Sequence, residues 1–234
     1  MENIYRSGEY LQHNPSWHQE DSPWKARQVQ HMISRNKLEF KTVAEIGCGA
    51  GGVLQAMSQL YPAPEVMFYG FDISPQAIDM ARKHKDERIM FAVQDILQDD
   101  AKAEFDLLLA MDVLEHVPDY LGFIERLRDK AHYKLFNIPL DLNVLSVLRN
   151  GMIKDRQEYG HLHYFSAETA LATLKGAGHQ VVDFFYANGA GELIRQNPKM
   201  RRLLLHLPRT FISLFSIPLA SRLFGGYTLV VLTK

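Results

Sequence analysis

The stretch VAEIGCGAGG, residues 43–52, decides how the rest of the chain is interpreted. Its first four residues have the pattern of a short buried strand, and glycines follow at positions 47, 49, 51 and 52. A helical pattern, VLQAMSQL, comes directly after them. Because glycine has no Cβ and a helix N-terminus offers unpaired N–H groups, this strand, turn and helix predict a site for a nucleotide-like ligand.

The glycine spacing fits two kinds of cofactor. Gly47, Gly49 and Gly52 match the GxGxxG pattern of dinucleotide sites, whereas Gly47, Gly49 and Gly51 match the GxGxG loop of S-adenosylmethionine (SAM) sites. Glu45 lies two positions before the first glycine, where a carboxylate would repel a pyrophosphate. The same carboxylate attracts the sulfonium and the amino group of SAM, so Glu45 favours SAM.

Composition limits the classes of protein to consider. The chain has 234 residues, of which 47% are hydrophobic, and this is enough for one substantial core; we therefore expect a single domain over residues 1–234. The net charge of −1 gives no reason to expect a nucleic-acid partner. One cysteine, Cys48, excludes an intramolecular disulfide, and residues 1–40 contain no apolar leader, which suits a cytoplasmic protein.

Acidic residues follow the next two predicted strands. Asp72 ends the strand predicted over 66–71, and a carboxylate there accepts hydrogen bonds from ribose hydroxyls in both kinds of nucleotide site. Ile73 is then placed to pack against the adenine. Asp95 follows the strand predicted over 89–93, where it accepts from the adenine amine or, alternatively, forms a turn.

A fourth predicted strand, 105–110, runs into MDVLEHVPDYLGFIERLRDK. Together with VAEIGCGAGG, FDIS at 71–74 and VQDI at 93–96, this segment resembles the class I SAM-dependent methyltransferases, in particular the group with the motif FDxVxxxxVLEHVPD. The resemblance covers residues 40–186. It implies an α/β, Rossmann-like fold: a seven-stranded sheet, mostly parallel with an antiparallel last strand, and helices on both faces.

The resemblance also implies a role for each matching residue, with SAM as methyl donor and S-adenosylhomocysteine (SAH) as product. The methionine part would be held by the acid and glycines of the turn, the ribose by Asp72, and the adenine by residues after the second and third strands; the end of the fourth strand would flank the methionyl group. The implied cofactor-binding residues are Glu45, Gly47, Gly49, Gly51, Asp72, Ile73, Asp95, Ile96, Ala110 and Met111. His116 is either an active-site residue or a packing residue.

The segment 140–165 follows the strand predicted over 133–138 and is too long for a simple loop. Insertions at the carboxyl end of a parallel sheet lie over the ligand crevice, so we expect the acceptor pocket here, with residues 1–40 as a further cap. His161 and His163 are the candidates for a general base toward a hydroxyl acceptor, with a structural role as the alternative. No cysteine or acidic pattern completes this pair as a metal site, so no metal is expected.

A second insertion, 188–224, precedes the strand predicted over 227–232. Residues 193–234 contain no acid, and the basic residues before the last strand are Arg195, Lys199, Arg201, Arg202, Arg209 and Arg222. The apolar part is too short and too interrupted by proline to span a bilayer. We expect amphipathic helices that either cover the core or form a surface for lipid or anions.

The sequence therefore predicts a cytoplasmic SAM-dependent methyltransferase that acts on a small-molecule or lipid-linked acceptor, through oxygen or nitrogen. We expect peripheral membrane contact through 193–224, and a monomer or a homodimer. A protein or nucleic-acid methyltransferase is the alternative within the same fold, disfavoured by the neutral charge and by the lack of an NPPY-like motif. A NAD-dependent oxidoreductase and a non-catalytic SAM-binding protein are the alternatives from other classes.

Overall fold

The computed structural model describes residues 17, 19–97, 105–196 and 200–234, and within these ranges the strands form one mixed sheet. The strands are β1 Thr42–Ile46, β2 Met67–Asp72, β3 Ile89–Val93, β4 Phe105–Met111, β5 Ala131–Pro139, β6 Val181–Ala187 and β7 Thr228–Thr233. Their order is β3-β2-β1-β4-β5-β7-β6, and β7 runs antiparallel to both neighbours. This confirms the predicted fold class.

Helices lie on both faces of the sheet. They are α1 Ser22–Asn36, α2 Gly52–Leu60, α3 Pro75–Ala81, α4 Tyr120–Leu127, α5 Val144–Leu148, α6 Gly151–Glu158, α7 Ala167–Gly176, α8 Gly189–Gln196, α9 Met200–Ser213 and α10 Ile217–Phe224. Short 3-10 turns precede α1 and follow β4, at Gln19–Asp21 and Leu114–His116. No helix within the described ranges is both long enough and apolar enough to cross a bilayer.

The central strand β4 shows how the core is divided. Successive side chains of a strand point to opposite faces, and here both faces are buried. Leu107 and Leu109 pack with α1 and α2, whereas Leu108 and Ala110 pack with α4, α7 and α10. Helices on both sides of the sheet thus explain the continuous apolar sequence of β4. Because β4 is the middle strand of the sheet, its carboxyl end lies at the middle of the sheet edge.

Local signals set where the helices begin. Pro75 starts α3 after Ser74, whose side chain accepts a hydrogen bond from the Ala77 N–H. Ser166 starts α7 with a reciprocal capping box to Thr169. Because β1 to β5 run parallel to one another, their carboxyl ends lie at one edge of the sheet, where these helices begin.

The two insertions have different structures. Residues 140–165 contain α5 and α6 and return as an extended segment, and residues 188–224 contain α8, α9 and α10. Helix α5 packs against α10, so the two insertions contact each other. The organisation as a single domain stays a prediction.

Candidate active site

The turn between β1 and α2 has the backbone that the glycines predicted. The φ angles of Gly47, Gly49 and Gly51 are +66°, +53° and +78°. A Cβ at Gly47 would lie 2.8 Å from Val113, and one at Gly51 would lie 2.5 Å from the Phe91 ring. Glycine is therefore required at both positions, for its backbone conformation and for space. The turn is held against its neighbours tightly enough to present its N–H groups in fixed directions.

Asp72, at the end of β2, braces this turn. Its carboxylate accepts hydrogen bonds from the backbone N–H groups of Gly49, at 2.9 Å, and Ser74, at 2.8 Å. Burial raises the pKa of Asp72, and these backbone donors oppose that rise. A carboxylate has about four acceptor positions, so Asp72 retains capacity for the two hydroxyls of a ribose.

Glu45 is a buried acid without a hydrogen bond at one of its oxygens. It is 2% exposed, and its Oε2 has no partner among the described atoms. Burial raises the pKa of Glu45 to about 8, Lys25 opposes this rise and Asp72 adds to it. An unpaired buried carboxylate is costly, and an ammonium group placed beside it would remove that cost. Glu45 therefore fits the amino group of the methionine part of SAM.

Helix α1 contributes a buried cation to the same edge. Lys25 Nζ lies 2.7 Å from Asp112 Oδ2. Burial alone would lower the pKa of Lys25, but Asp112 and the more distant acids outweigh burial and hold the pKa above its ordinary value. Arg27, on the same helix, pairs with Glu192 at 3.4 Å. Both cations thus have acidic partners within the protein.

Asp112 is a functional candidate that the sequence did not reveal. It has a left-handed backbone, with φ of 57°, directly after β4. Its Oδ1 accepts a hydrogen bond from Asn137 Nδ2 at 2.5 Å, and Asn137 Oδ1 accepts one from Thr228 at 2.8 Å. Together with Lys25, these residues link α1, β4, β5 and β7 along the carboxyl edge. A non-glycine residue in this conformation is uncommon and is enriched at functional sites.

The predicted adenine-side residues lie along the β2 and β3 ends of the edge. Ile73 is partly exposed, and Asp95 accepts a hydrogen bond from the Leu97 N–H at 3.1 Å, which forms a local turn. Ile96, Ala110 and Met111 are buried. The roles of these residues toward SAM stay predictions.

The two predicted catalytic histidines have different surroundings. His161 Nδ1 lies 3.0 Å from Asp141 Oδ2, and the His161 ring is 4.9 Å from the ring of His116. His163 Nε2 lies 2.9 Å from the carbonyl oxygen of Val117, and its ring packs against Tyr120. His161 thus contacts His116 and the carboxylate of Asp141, whereas the ring of His163 contacts a backbone carbonyl.

The main-chain carbonyl of Glu115 contacts two residues of the segment after α6. The Glu115 oxygen accepts hydrogen bonds from the N–H groups of Leu162, at 2.6 Å, and His163, at 3.2 Å. This brings the Leu114–His116 turn beside residues more than 40 positions later in the chain. Asp141 was missed as a site residue because its position carries no signal until the chain has folded back. Glu115 lies in the VLEHVPD motif, but only the fold places it beside His161.

An exposed apolar surface flanks this region. It consists of Leu142, Val144, Val147 and Leu148 with Leu207, Phe211, Leu214, Phe215 and Leu219, and we refer to it as the apolar surface. Leu148, Leu214 and Phe215 are each more than three-quarters exposed, at 77%, 76% and 78%. A shallow depression of about 340 Å³ is lined by Leu142, Asn143, Val144, Val147, Leu148 and Arg222. Leu142, the first of these lining residues in the sequence, directly follows Asp141.

Two of the basic residues expected at a surface have other roles. Arg209 is only 8% exposed and donates to the carbonyl oxygen of Phe224 at 3.1 Å. Arg222 is exposed but forms an ion pair with Glu168. Arg209 thus belongs to the buried part of this insertion and Arg222 is paired; the choice between a cover for the core and a surface for lipid or anions stays a prediction.

The sequence profile of the methyltransferase domain family matches residues 16–183, which is most of the chain. The chain belongs to this family. Membership confirms the predicted superfamily, the class of enzyme and SAM as the methyl donor of the family.

Individual relatives are more distant. The ubiquinone biosynthesis O-methyltransferase of Actinobacillus pleuropneumoniae serotype 7 is 31% identical over 99 residues, which cover 38% of this chain and only 41% of that protein. Magnesium protoporphyrin IX methyltransferase from Synechocystis PCC 6803, crystallised with SAH, superposes with a TM-score of 0.58 at 14% identity over 91% of this chain and 82% of its own. A SAM-dependent methyltransferase from Archaeoglobus fulgidus gives 0.58 at 18% identity, over 89% and 94%. At these identities the structures show the fold alone.

Proposed function

We propose that this protein transfers the methyl group of SAM to a hydroxyl of a small-molecule acceptor that carries an apolar tail. The observation that carries this proposal is the position of the apolar depression. Its first lining residue, Leu142, follows in sequence the Asp141 that contacts His161. We therefore place the apolar tail in the depression and the polar head of the acceptor at the histidine. The relatives named as O-methyltransferases support oxygen as the acceptor atom.

SAM occupies the carboxyl edge of the sheet in this proposal. Glu45 binds the amino group of the methionine part, the glycine turn lies against it, and Asp72 accepts from the ribose hydroxyls. Ile73, Ile96 and Asp95 contact the adenine, and Ala110 and Met111 flank the methionyl group. The buried Glu45 oxygen without a partner and the positive φ angles of the turn support this placement.

The chemical step needs little from the protein beyond alignment and removal of one proton. The acceptor oxygen attacks the methyl carbon, the carbon–sulfur bond breaks, and SAH leaves. We assign His161 to the activation of the acceptor hydroxyl, because Asp141 orients its ring and fixes the proton on Nδ1. His163 ranks second, since its Nε2 is engaged by the Val117 carbonyl.

An acceptor with an alkyl chain is expected to have a KM about tenfold or more below that of the same hydroxylated compound without the chain. Two buried methylene groups suffice, because each contributes about 0.8 kcal/mol and a tenfold change corresponds to about 1.4 kcal/mol. The measurement is the rate of SAH release for matched pairs of acceptors.

The variant Leu148→Asp should remove this preference, and Leu121→Asp, an equivalent change at an exposed leucine of α4, should retain it. Equal KM values for tailed and untailed acceptors would contradict the proposed tail site. An absence of SAH release with every hydroxyl acceptor would contradict the proposed activity.

The apolar surface also supports peripheral binding to an anionic membrane. Its α9 and α10 part lies in a region without acidic residues, and Arg149, the C-cap of α5, is exposed. Lipid would cover the large side chains at Phe211, Leu214 and Phe215, which the sheet leaves uncovered. A membrane at this face would present a lipid-linked acceptor directly to the depression.

The protein is therefore expected to float with liposomes that contain anionic lipid, and to do so less as salt increases. Phe215→Glu should abolish flotation because it places a charge in the lipid contact. Phe184→Glu, the same change at an exposed phenylalanine on the edge strand β6, is the matched control and should float like the wild type. No flotation with either anionic or neutral liposomes, together with a dimer that forms through Phe215, would contradict membrane binding.

A further inference from the structure

Three potential metal ligands converge beside the end of β4. Glu115, His116 and His161 each offer one ligand atom, and these atoms all lie within 4.8 Å of one another. The set combines one carboxylate with two imidazoles. It is also assembled across the fold, because two ligands come from the 3-10 turn after β4 and the third comes from the segment that returns after α6.

The carboxylate of Glu115 is unusual for its burial. Glu115 is 1% exposed, and neither of its oxygens has a hydrogen-bond partner among the described atoms. His116 Nε2 lies 3.9 Å from Glu115 Oε1. A buried carboxylate without hydrogen bonds is costly to a fold, and coordination of a cation is one of the few arrangements that compensates it.

The charges around Glu115 also favour a cation. Lys25 and Asp112 offset each other as an ion pair. Glu115 and Asp141 remain as acids around the two histidines.

Both histidines are oriented through their Nδ1 atoms. His161 Nδ1 lies 3.0 Å from Asp141 Oδ2, and His116 Nδ1 lies 3.4 Å from the carbonyl oxygen of Gly160. An acceptor at Nδ1 places the proton there and leaves a lone pair on Nε2. Histidines that bind metals are held in this way, by a carboxylate or a carbonyl on the nitrogen away from the metal.

We propose that Glu115, His116 and His161 form a binding site for a divalent transition-metal cation of the Zn²⁺ or Fe²⁺ type. Two histidines and one carboxylate are a ligand set that such cations accept while keeping positions open for water or substrate. Mg²⁺ and Ca²⁺ prefer oxygen ligands, so they do not fit two imidazoles. Bonds of about 2.0–2.1 Å require the three ligand atoms to approach by roughly 1 Å, which side-chain rotations supply.

The metal site would also have a role in the proposed methyl transfer, and only this role rests on the proposed function. A hydroxyl bound to such a cation would have a lowered pKa and would release its proton to solvent. The metal would thus activate the acceptor, and His161 would act as a ligand instead of accepting the proton itself. The inference differs from the expectation of no metal, which considered His161 together with His163. In the fold the partners of His161 are Glu115 and His116.

Calorimetric titration of metal-stripped full-length protein with Zn²⁺, without SAM or acceptor, tests the site directly. We expect one Zn²⁺ per chain and no comparable binding of Mg²⁺. Asp141→Asn should weaken Zn²⁺ binding by about 10–100-fold, because it changes the residue that orients His161. His116→Ala and His161→Ala should each weaken it further, and Glu115→Gln should do the same with almost no change in volume.

His163→Ala is the matched control, since it removes the neighbouring histidine that contacts Val117, and it should retain Zn²⁺ binding. Visible absorption of Co²⁺ in the same variants reports nitrogen coordination separately from folding, and circular dichroism excludes unfolded variants. Absence of Zn²⁺ binding, or binding that survives both His116→Ala and His161→Ala, would overturn the site. Neither result depends on methyl transfer, so failure here and failure of the proposed function are distinguishable.

Discussion

Replacing His161 with alanine is expected to lower methyl transfer about 10²–10⁴-fold while the affinity for SAM stays the same. The physical reason is that His161, held by Asp141 at 3.0 Å, is the group that activates the acceptor hydroxyl, whereas SAM binds at the glycine turn. Single-turnover measurement of SAH release gives the rate of the chemical step, and calorimetry gives the affinity for SAM.

His163→Ala is the control for this prediction. It removes a histidine from the same segment together with the hydrogen bond to the Val117 carbonyl, so it should lower the melting temperature and change turnover by less than about tenfold. His116→Ala separates the two ways in which His161 can act: a metal site makes its loss as damaging as that of His161, and a simple base does not. An equal fall in SAM affinity in His161→Ala would show instead that the segment closes the cofactor site.

Replacing Asp72 with alanine is expected to weaken SAM and SAH binding by roughly 10²–10⁴-fold. Two charge-assisted hydrogen bonds to the ribose would be lost, at about 1.5–3 kcal/mol each, and every 1.4 kcal/mol is about a tenfold change. Because Asp72 also accepts from Gly49 and Ser74, the variant Asp72→Asn is needed beside it; it keeps an acceptor for the turn but loses the charge. Unchanged affinity in a folded Asp72→Ala protein would refute the ribose site.

The strands and the glycine turn were predictable because their signals are local. Apolar runs such as that of β4 are bounded by charged or turn residues, and the glycines at 47 and 51 occupy positions that no Cβ can share. Asp72 was predictable for the same reason, as an acid fixed at the end of a buried strand. Its position relative to the turn follows from the parallel pairing of β1 and β2.

The acceptor side was only partly predictable because it depends on contacts between distant segments. The sequence located His161 in an insertion over the sheet edge, but its neighbours Glu115 and His116 are defined by backbone hydrogen bonds from Leu162 and His163 to the Glu115 carbonyl. The burial of Arg209 was also not predictable from the sequence. The sequence left open whether its segment covers the core or forms a surface, and α9 turns Arg209 inward, where its guanidinium lies over Gly226.

Calorimetric titration of the protein with SAM, SAH and NAD side by side tests the central claim most directly. We predict that SAM and SAH bind and that NAD does not. The pKa of Glu45 is about 8 without ligand, and a bound ammonium group favours its carboxylate. SAM binding near pH 7 should therefore release a proton, strengthen as the pH rises toward 8, and lose this dependence in Glu45→Gln. Tight binding of NAD without binding of SAM would contradict the claim.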